Sequence, residues 1–192
     1  MLLPSCPPVL NIHKIGGLLT KPKPGVLRQI VVFIALLAAV TVIAVLGSMA
    51  TIPNAEGWYL QAEKVPWNPA AAVFGPVWSV LYVMIAVAGF LIWRAGFTGS
   101  HSPNRSNSQL WIYATQLALN GLWTPIFFAG YPLFGHPAWL IAMVVIVALI
   151  VVVAWLIISA KRVSKLAAWM LVPYLLWIVY ASTLNAGIIA LN

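Results

Sequence analysis

The sequence predicts an all-α protein, an integral membrane bundle of five transmembrane helices, and two observations carry that prediction. The first is composition: 63% of the 192 residues are hydrophobic and 6% are charged, whereas about a quarter of the residues in a soluble domain are charged. The second is that the apolar runs are continuous, which excludes the alternating pattern of a membrane β-barrel. With Glu56 and Glu63 as its two acids, the chain cannot cover a surface that faces water.

Charge-free stretches determine the number of crossings, because a helix needs about 20 apolar residues to cross the hydrocarbon. The stretch from Ser106 to Ala160 is too long for one crossing, and a turn rich in glycine and proline at 130–137 divides it. The predicted helices are 28–50, 70–94, 109–129, 137–160 and 166–190.

The positive charges predict the orientation. Nine of the ten Lys and Arg residues precede the first helix or fall in the connections after the second and fourth, and Lys64 falls on the other side. The positive-inside bias places the N-terminus in the cytoplasm and the C-terminus outside, and we expect a bacterial cell membrane. A nucleic-acid binder would carry a basic patch among polar neighbours, so the net charge of +8 does not indicate nucleic acid.

Residues 1–27 are predicted to be a disordered cytoplasmic tail, and residues 28–192 to be a single transmembrane domain. The first 25 residues contain five prolines and lack the continuous apolar core of a secretion signal. The lone Cys6 cannot form an internal disulfide, and no metal-ligand spacing surrounds it.

The connection between the first two helices, residues 51–69, is long for a helix–helix link, and such loops tend to be functional. It contains Trp58, Tyr59 and Trp67 among three prolines. One interpretation is that these aromatics belong to the interfacial belt of a membrane protein. The other is that the loop is a lid over a cavity between helices.

Ionisable groups are absent from the interiors of the predicted helices, although inside a membrane such groups normally mark ion transport or proton relay. The three histidines, His13, His101 and His136, fall in connections or at a helix end. The sequence offers no nucleophile–base pair, carboxylate pair or phosphate-binding glycine loop. It therefore argues against an ion-coupled pump, a hydrolase or a kinase, and predicts no metal site.

Tryptophan and a few amides are the distinctive interior residues. Four tryptophans near helix ends are expected in the interfacial belt: Trp93, Trp111, Trp139 and Trp169. Trp123 lies farther in, and Trp78, Asn120 and Trp177 lie roughly 12, 13 and 18 Å below the outer ends of their helices at 1.5 Å per residue. These residues either pack the bundle with Asn120 as an interhelical hydrogen-bonding group, or line a pocket for a planar hydrophobic ligand.

Two further patterns concern packing. Ala114 and Ala118 give the third helix a face of small residues, which allows close helix approach and a homodimer through that helix. Asn185 and Asn192, near the outer end of the fifth helix, are expected to satisfy backbone or loop groups.

Three segments form a recognisable signature. They are Trp58-Tyr59 with Lys64-Val-Pro-Trp-Asn-Pro69 and Val73-Phe-Gly-Pro-Val-Trp78-Ser-Val-Leu-Tyr82, then Gln116-Leu-Ala-Leu-Asn-Gly-Leu-Trp123 with Phe127-Phe128, then Leu171-Val-Pro-Tyr-Leu-Leu-Trp177 with Ala181 and Leu184-Asn185. In this order, over about residues 28–192, they resemble the translocator protein family in its bacterial type. That family includes the tryptophan-rich sensory proteins of bacteria and the peripheral benzodiazepine receptor of mitochondria.

The resemblance implies that the protein binds porphyrins such as protoporphyrin and haem, and synthetic isoquinoline or benzodiazepine ligands, and needs no cofactor. It implies a pocket between the helices, capped by the first loop and lined by Trp58, Tyr59, Trp78, Asn120, Trp123, Trp177, Ala181 and Leu184. Some bacterial members degrade protoporphyrin in light, which makes Trp78 and Trp177 the candidate catalytic residues. We expect a tetrapyrrole binder with a sensory or transport role; the alternatives are a light-dependent porphyrin-degrading enzyme and a structural protein that modulates a partner.

Two positions depart from the family pattern. The family has Lys-Pro-x-Trp where this chain has Lys64-Val-Pro-Trp67, and a second proline where it has Ala70, so the loop is expected to close differently. Mitochondrial members end in a cholesterol-recognition pattern of an apolar residue, a tyrosine and then a cation. Neither Tyr174 nor Tyr180 is followed by a cation, so cholesterol transport is not expected.

Overall fold

The computed structural model describes residues 24–97 and 106–192. These residues form five long helices and two four-residue helices: α1 (Val26–Ala55), α2 (Trp58–Gln61), α3 (Ala71–Ala95), α4 (Asn107–Phe128), α5 (Tyr131–Phe134), α6 (His136–Ala160) and α7 (Lys165–Leu191). The described ranges contain no strand, which confirms the all-α class. Cys6 and most of the predicted N-terminal tail lie outside the described residues, as does His101.

Four of the five predicted helices have nearly the observed bounds, but the first does not. α3, α4, α6 and α7 begin and end within two residues of the predicted positions. α1 continues to Ala55 rather than residue 50, so five residues assigned to the loop are helical, including Pro53. The Asn54 side chain donates a hydrogen bond to the carbonyl oxygen of Ala50 at 2.8 Å, one turn back in the same helix.

The five long helices pack as a closed ring. α1 contacts α3 and α4, α4 contacts α6, α6 contacts α7, and α7 contacts α3. α1 is the most exposed member, because Val40 is its one buried residue. The largest group of buried residues lies inside the ring and includes Leu81, Ile85, Leu149, Leu171 and Tyr174.

Four of the long helices, α1, α3, α6 and α7, are long and apolar enough to cross a membrane. α4 has 22 residues but does not reach the same hydropathy, because the residues that it buries before Phe127 all carry polar groups: Gln109, Tyr113, Gln116 and Asn120. The structure therefore supports a helical membrane protein with four candidate spans in its described part.

Candidate ligand-binding site

The first half of the loop between α1 and α3 is held against the bundle by the aromatic side chains of α2. Trp58 donates a hydrogen bond from its indole Nε1 to the carbonyl oxygen of Phe128 at 3.0 Å. Its ring centroid lies 4.6 Å from that of Tyr131 and 5.3 Å from that of Trp139. Tyr59 packs beside it, with its ring 5.3 Å from the Phe128 ring. The short helix therefore docks on the adjoining ends of α4 and α6.

The second half of the loop lies along α7 and is held mainly by hydrogen bonds. The Trp67 indole donates to Thr183 Oγ1 at 3.2 Å, and the Tyr180 hydroxyl donates to the carbonyl oxygen of Trp67 at 2.6 Å. Val65 approaches Gly187 so closely that a Cβ at that glycine would overlap its side chain. The two halves together cover one end of the bundle, which we call the loop end.

The two asparagines expected to serve backbone or loop groups behave differently. Asn192 Oδ1 accepts from the backbone N–H of Glu63 at 2.9 Å, and Nδ2 donates to the Glu63 carbonyl oxygen at 3.1 Å. The expectation is therefore confirmed for Asn192. Asn185 is 1% exposed, and neither of its amide atoms has a hydrogen-bond partner among the described residues.

Lys64 and Tyr59 stabilise the bend between the two halves. The Lys64 ammonium donates to the carbonyl oxygens of Ala62 at 3.0 Å and Leu60 at 3.4 Å, and it lies 4.8 Å from the centroid of the Tyr59 ring. The Tyr59 hydroxyl donates to Asn68 Oδ1 at 3.1 Å. Burial, and to a lesser degree its neighbour Tyr180, raises the pKa of Tyr59, so the phenol stays neutral and remains a donor near neutral pH.

Asn120 lies at a hydrogen-bonded junction of three helices inside the ring. Its Nδ2 donates to the Tyr174 hydroxyl at 2.8 Å, and its Oδ1 accepts from the Tyr82 hydroxyl at 3.2 Å. Asn120 is 4% exposed, so α3, α4 and α7 are joined through one buried amide. This geometry agrees with the interpretation of Asn120 as an interhelical hydrogen-bonding group, and it also places a polar group between aromatic walls.

Trp78 and Trp177 lie beside this junction. The Trp78 ring stacks on Tyr82 at 5.3 Å and 27°, and meets Trp177 edge to face at 6.4 Å and 89°. Sequence reasoning had not assigned Tyr82 and Tyr174 to the site, although Tyr82 is four residues after Trp78 and Tyr174 three before Trp177. Residues three or four apart share a helix face, and that spacing was the available signal.

Three other predicted site residues belong to a second aromatic group, nearer the loop. Trp123 stacks on Phe127 at 5.7 Å and 21°, and Phe127 lies 5.9 Å from Trp58 and 6.2 Å from Tyr59. Ala181 and Leu184 lie four and seven residues beyond Trp177 on α7, and both are buried. Six of the eight predicted residues therefore fall into a loop group (Trp58, Tyr59 and Trp123) and a central group (Trp78, Asn120 and Trp177) rather than around one open space.

A cavity of about 200 Å³ opens at the loop end, and its lining only partly matches the predicted pocket. The residues that line it are Trp58, Gln61, Ala62, Tyr131, Trp139 and Asn192. Of the eight predicted residues, Trp58 alone lines this cavity. Pockets for drug-sized ligands span about 300–1,000 Å³, so a tetrapyrrole does not fit this cavity without rearrangement of the loop.

Trp139 was predicted to be a belt residue, and that prediction is wrong. Trp139 is 1% exposed, and its ring stacks on Tyr131 at 4.3 Å and 2°. The cause is α5, which places Tyr131 over the first turn of α6. Trp111 and Trp169, by contrast, are 75% and 68% exposed, as expected for belt residues, and the Trp93 ring packs near Arg28, whose guanidinium carbon lies 5.8 Å from its centroid.

Several buried polar atoms have no hydrogen-bond partner within the described residues: the indole nitrogens of Trp123, Trp139 and Trp177 and both amide atoms of Gln116 and Asn185. Buried polar groups in native proteins are nearly always paired, so these atoms are candidates for hydrogen bonds that form on ligand binding, either to the ligand or to side chains that it displaces. In the same ranges, no three His, Cys, Asp or Glu side chains come together in a way that could hold a metal ion.

Comparisons with known proteins agree with the signature in the sequence. A sequence model of the TspO/MBR family matches residues 33–191. The tryptophan-rich protein TspO of Archaeoglobus fulgidus is 34% identical over 164 residues, which cover 85% of this chain and 99% of that protein. The human translocator protein is 36% identical over 130 residues, covering 67% of this chain and 70% of its own length.

A third relative is protein CrtK of Rhodobacter capsulatus, 31% identical over 147 residues that cover 76% of this chain and 85% of that protein. The family match spans the loop, the Asn120 junction and both aromatic groups. The chain therefore belongs to the TspO/MBR family of membrane proteins.

Proposed function

We propose that this protein binds a tetrapyrrole such as protoporphyrin or haem between its helices, beneath the loop, in a sensory or transport role. The observation that supports this most is the central group, in which Trp78, Tyr82, Tyr174 and Trp177 surround the buried amide of Asn120. Flat apolar walls around one polar group suit a ligand that is mostly ring system. The loop group then closes the site from above.

The proposed ligand contacts are Trp58, Tyr59, Trp78, Asn120, Trp123, Trp177, Ala181 and Leu184. Because the aromatic residues among them form two packed groups, ligand entry requires the loop to lift and the groups to separate. Ala181, one turn beyond Trp177, is small and would obstruct a ring placed against that indole less than a larger side chain. The indole N–H groups of Trp123 and Trp177, which have no hydrogen-bond partner among the described residues, would then donate to ligand carboxylates.

We further propose that α4 is a fifth crossing, which puts the two termini on opposite sides of the membrane, and that the positive-inside bias places the N-terminus in the cytoplasm and the C-terminus outside. At 1.5 Å per residue its 22 residues extend about 33 Å, enough for the hydrocarbon. α4 contains no charged residue, and its exposed side carries Trp111, Ala114, Ala118 and Leu122. Ala114 and Ala118 leave this face open to a second copy of the chain, and a homodimer there remains our proposal.

Titration of the purified protein with protoporphyrin, followed by tryptophan fluorescence, tests the binding function. We expect saturable quenching, with affinity reduced about twofold to twelvefold in Trp78→Phe and Trp177→Phe, since aromatic pairing is worth about 0.5–1.5 kcal/mol beyond area burial. Trp111→Phe and Trp169→Phe, both on the exposed surface, are the matched controls and should bind normally. Equal behaviour of all four variants would make the inner tryptophans packing residues.

Light-dependent breakdown of the bound porphyrin is a second candidate function. The edge-to-face contact of Trp78 with Trp177 supports it, because a porphyrin bound there would have two indoles in reach that can quench or trap its excited state. Comparing products in light and in darkness separates an enzyme from a binder. Absence of saturable binding would instead favour a structural protein that modulates a partner.

A further inference from the structure

Gln116 is the most unusual residue inside the ring. Its side chain is fully buried, and neither its amide oxygen nor its amide nitrogen has a hydrogen-bond partner among the described residues. It lies on α4 three residues after Tyr113 and four before Asn120, so these three side chains share one face of the helix. An amide buried in apolar surroundings without partners is strongly unfavourable, and leucine would fill a similar volume without that cost.

Tyr113 and Asn120, which share this face of α4 with Gln116, already have hydrogen-bond partners. Tyr113 donates from its hydroxyl to the carbonyl oxygen of Ile85 at 3.1 Å. Asn120 is held by Tyr82 and Tyr174. Through the Asn120–Tyr174 bond, the helix face that carries Gln116 is joined to α7.

Binding of a ligand by Asn120 would remove the hydrogen bonds that Asn120 now makes with the Tyr82 and Tyr174 hydroxyls. Tyr82 needs an acceptor, which Asn120 Oδ1 now supplies, and Tyr174 needs a donor, which Asn120 Nδ2 now supplies. A glutamine amide offers the same acceptor and the same donor. Gln116 is one turn away on the same face, and its side chain is one methylene longer than that of asparagine.

We propose that Gln116 is the reserve partner of Tyr82 and Tyr174. It takes over their hydrogen bonds when Asn120 turns towards the polar group of a ligand, and thereby offsets the cost of releasing Asn120. Gln116 is then a positioning residue for binding that does not itself touch the ligand. The ligand part of this inference rests on the proposed function, whereas the exchange of partners within the chain does not.

The exchange is tested without ligand by a double-mutant cycle of Gln116→Leu and Asn120→Leu, read as thermal midpoints of the full chain in detergent. We expect Gln116→Leu alone to raise the midpoint, because it removes an unpaired buried amide. In Asn120→Leu, Gln116 should replace the lost hydrogen bonds of Tyr82 and Tyr174. The double variant should therefore have a lower thermal midpoint than the sum of the two single shifts predicts. Gln116→Met provides the same comparison if leucine packs poorly.

Gln109→Leu is the matched control. Gln109 is buried on the same face of α4, but its Oε1 already accepts from Ser108 at 3.1 Å, and it lies 11 residues from Asn120. Gln109→Leu should not raise the midpoint, and its effect should add to that of Asn120→Leu. Additive midpoints for Gln116 as well, or a lower midpoint in Gln116→Leu alone, would overturn the inference.

Protoporphyrin titration of the same variants tests the ligand part. Gln116→Leu should weaken binding about twofold to twelvefold, the equivalent of one net hydrogen bond, and Gln109→Leu should leave it unchanged. Unchanged affinity in Gln116→Leu would overturn the positioning role. If the unsubstituted chain does not bind protoporphyrin, the proposed function fails, while the thermal cycle still decides whether Gln116 replaces Asn120.

Discussion

The two halves of the loop that covers the bundle are held by different forces. In the first half, the Trp58 ring contacts the aromatic rings of Phe127, Phe128, Tyr131 and Trp139. In the second half, exposed hydrogen bonds join Trp67 to Tyr180 and Thr183. Exposing buried aromatic surface to water costs free energy that water does not return, whereas water can replace the partners of an exposed hydrogen bond at little net cost. We therefore expect the first half to be the anchor and the second half to open first.

Removal of the anchor should have the largest effect on the loop. Trp58→Ala deletes a half-buried tryptophan side chain. We expect it to destabilise the docked loop by about 2 kcal/mol, roughly half the cost of the same substitution at a fully buried tryptophan. Trypsin cleavage after Lys64, followed by mass spectrometry, should become about 30-fold faster if it tracks the open population. Leu60→Ala, on the same short helix but 71% exposed, should change little. Equal rates for both variants would show that the ring contacts do not anchor the loop.

Loss of one hydrogen bond in the second half should have a smaller effect. Tyr180→Phe removes the donor to the Trp67 carbonyl, and a net hydrogen bond is worth about 0.5–1.5 kcal/mol, or about twofold to twelvefold in cleavage rate. Ser182→Ala is the control, since Ser182 donates within α7 to Val179. If Tyr180→Phe opened the loop more than Trp58→Ala, the order of the two halves would be reversed.

The smallest effect concerns pH. Burial raises the pKa of Tyr59 above the ordinary value of 10.0. The Tyr59 phenol therefore holds its proton more tightly when the loop is docked than when the loop is open. The stabilisation is complete below pH 10 and is lost as the pH rises through the raised pKa. The difference between the ultraviolet titrations of the parent chain and Tyr59→Phe isolates this phenol, and it should ionise above pH 10. A Tyr59 that ionises at its ordinary pKa would mean that the first half is already open.

The sequence predicted the all-α class and the positions of most helices because both depend on local composition. Continuous apolar stretches predicted α3, α4, α6 and α7 to within two residues. The end of α1 was predicted five residues too early, at residue 50. A proline in the final turn of a helix removes only one hydrogen bond, and the helix continues through Pro53 to Ala55.

The candidate site was only partly predictable, because it depends on which helices become neighbours. Asn120 and Trp78 stood out by residue type, yet the partners of Asn120 are Tyr82 and Tyr174 from two other helices. Position along a helix also predicted an exposed Trp139, which Tyr131 covers through a turn that sequence analysis treated as a simple connection. Contacts between distant segments of the chain are not encoded in local periodicity.

The polar face of α4 has a consequence for biogenesis. If α4 crosses the bilayer as we propose, its insertion carries Gln109, Gln116 and Asn120 into lipid, where unpaired amides are costly. Tyr82 on α3 is synthesised before Asn120, but Tyr174 belongs to α7, which leaves the ribosome after α4 and α6. The Asn120 junction therefore cannot be completed while the chain is being threaded into the bilayer in order. Assembly of the ring must wait for its last helix, and a chain interrupted before Tyr174 retains an unpaired amide nitrogen in its interior.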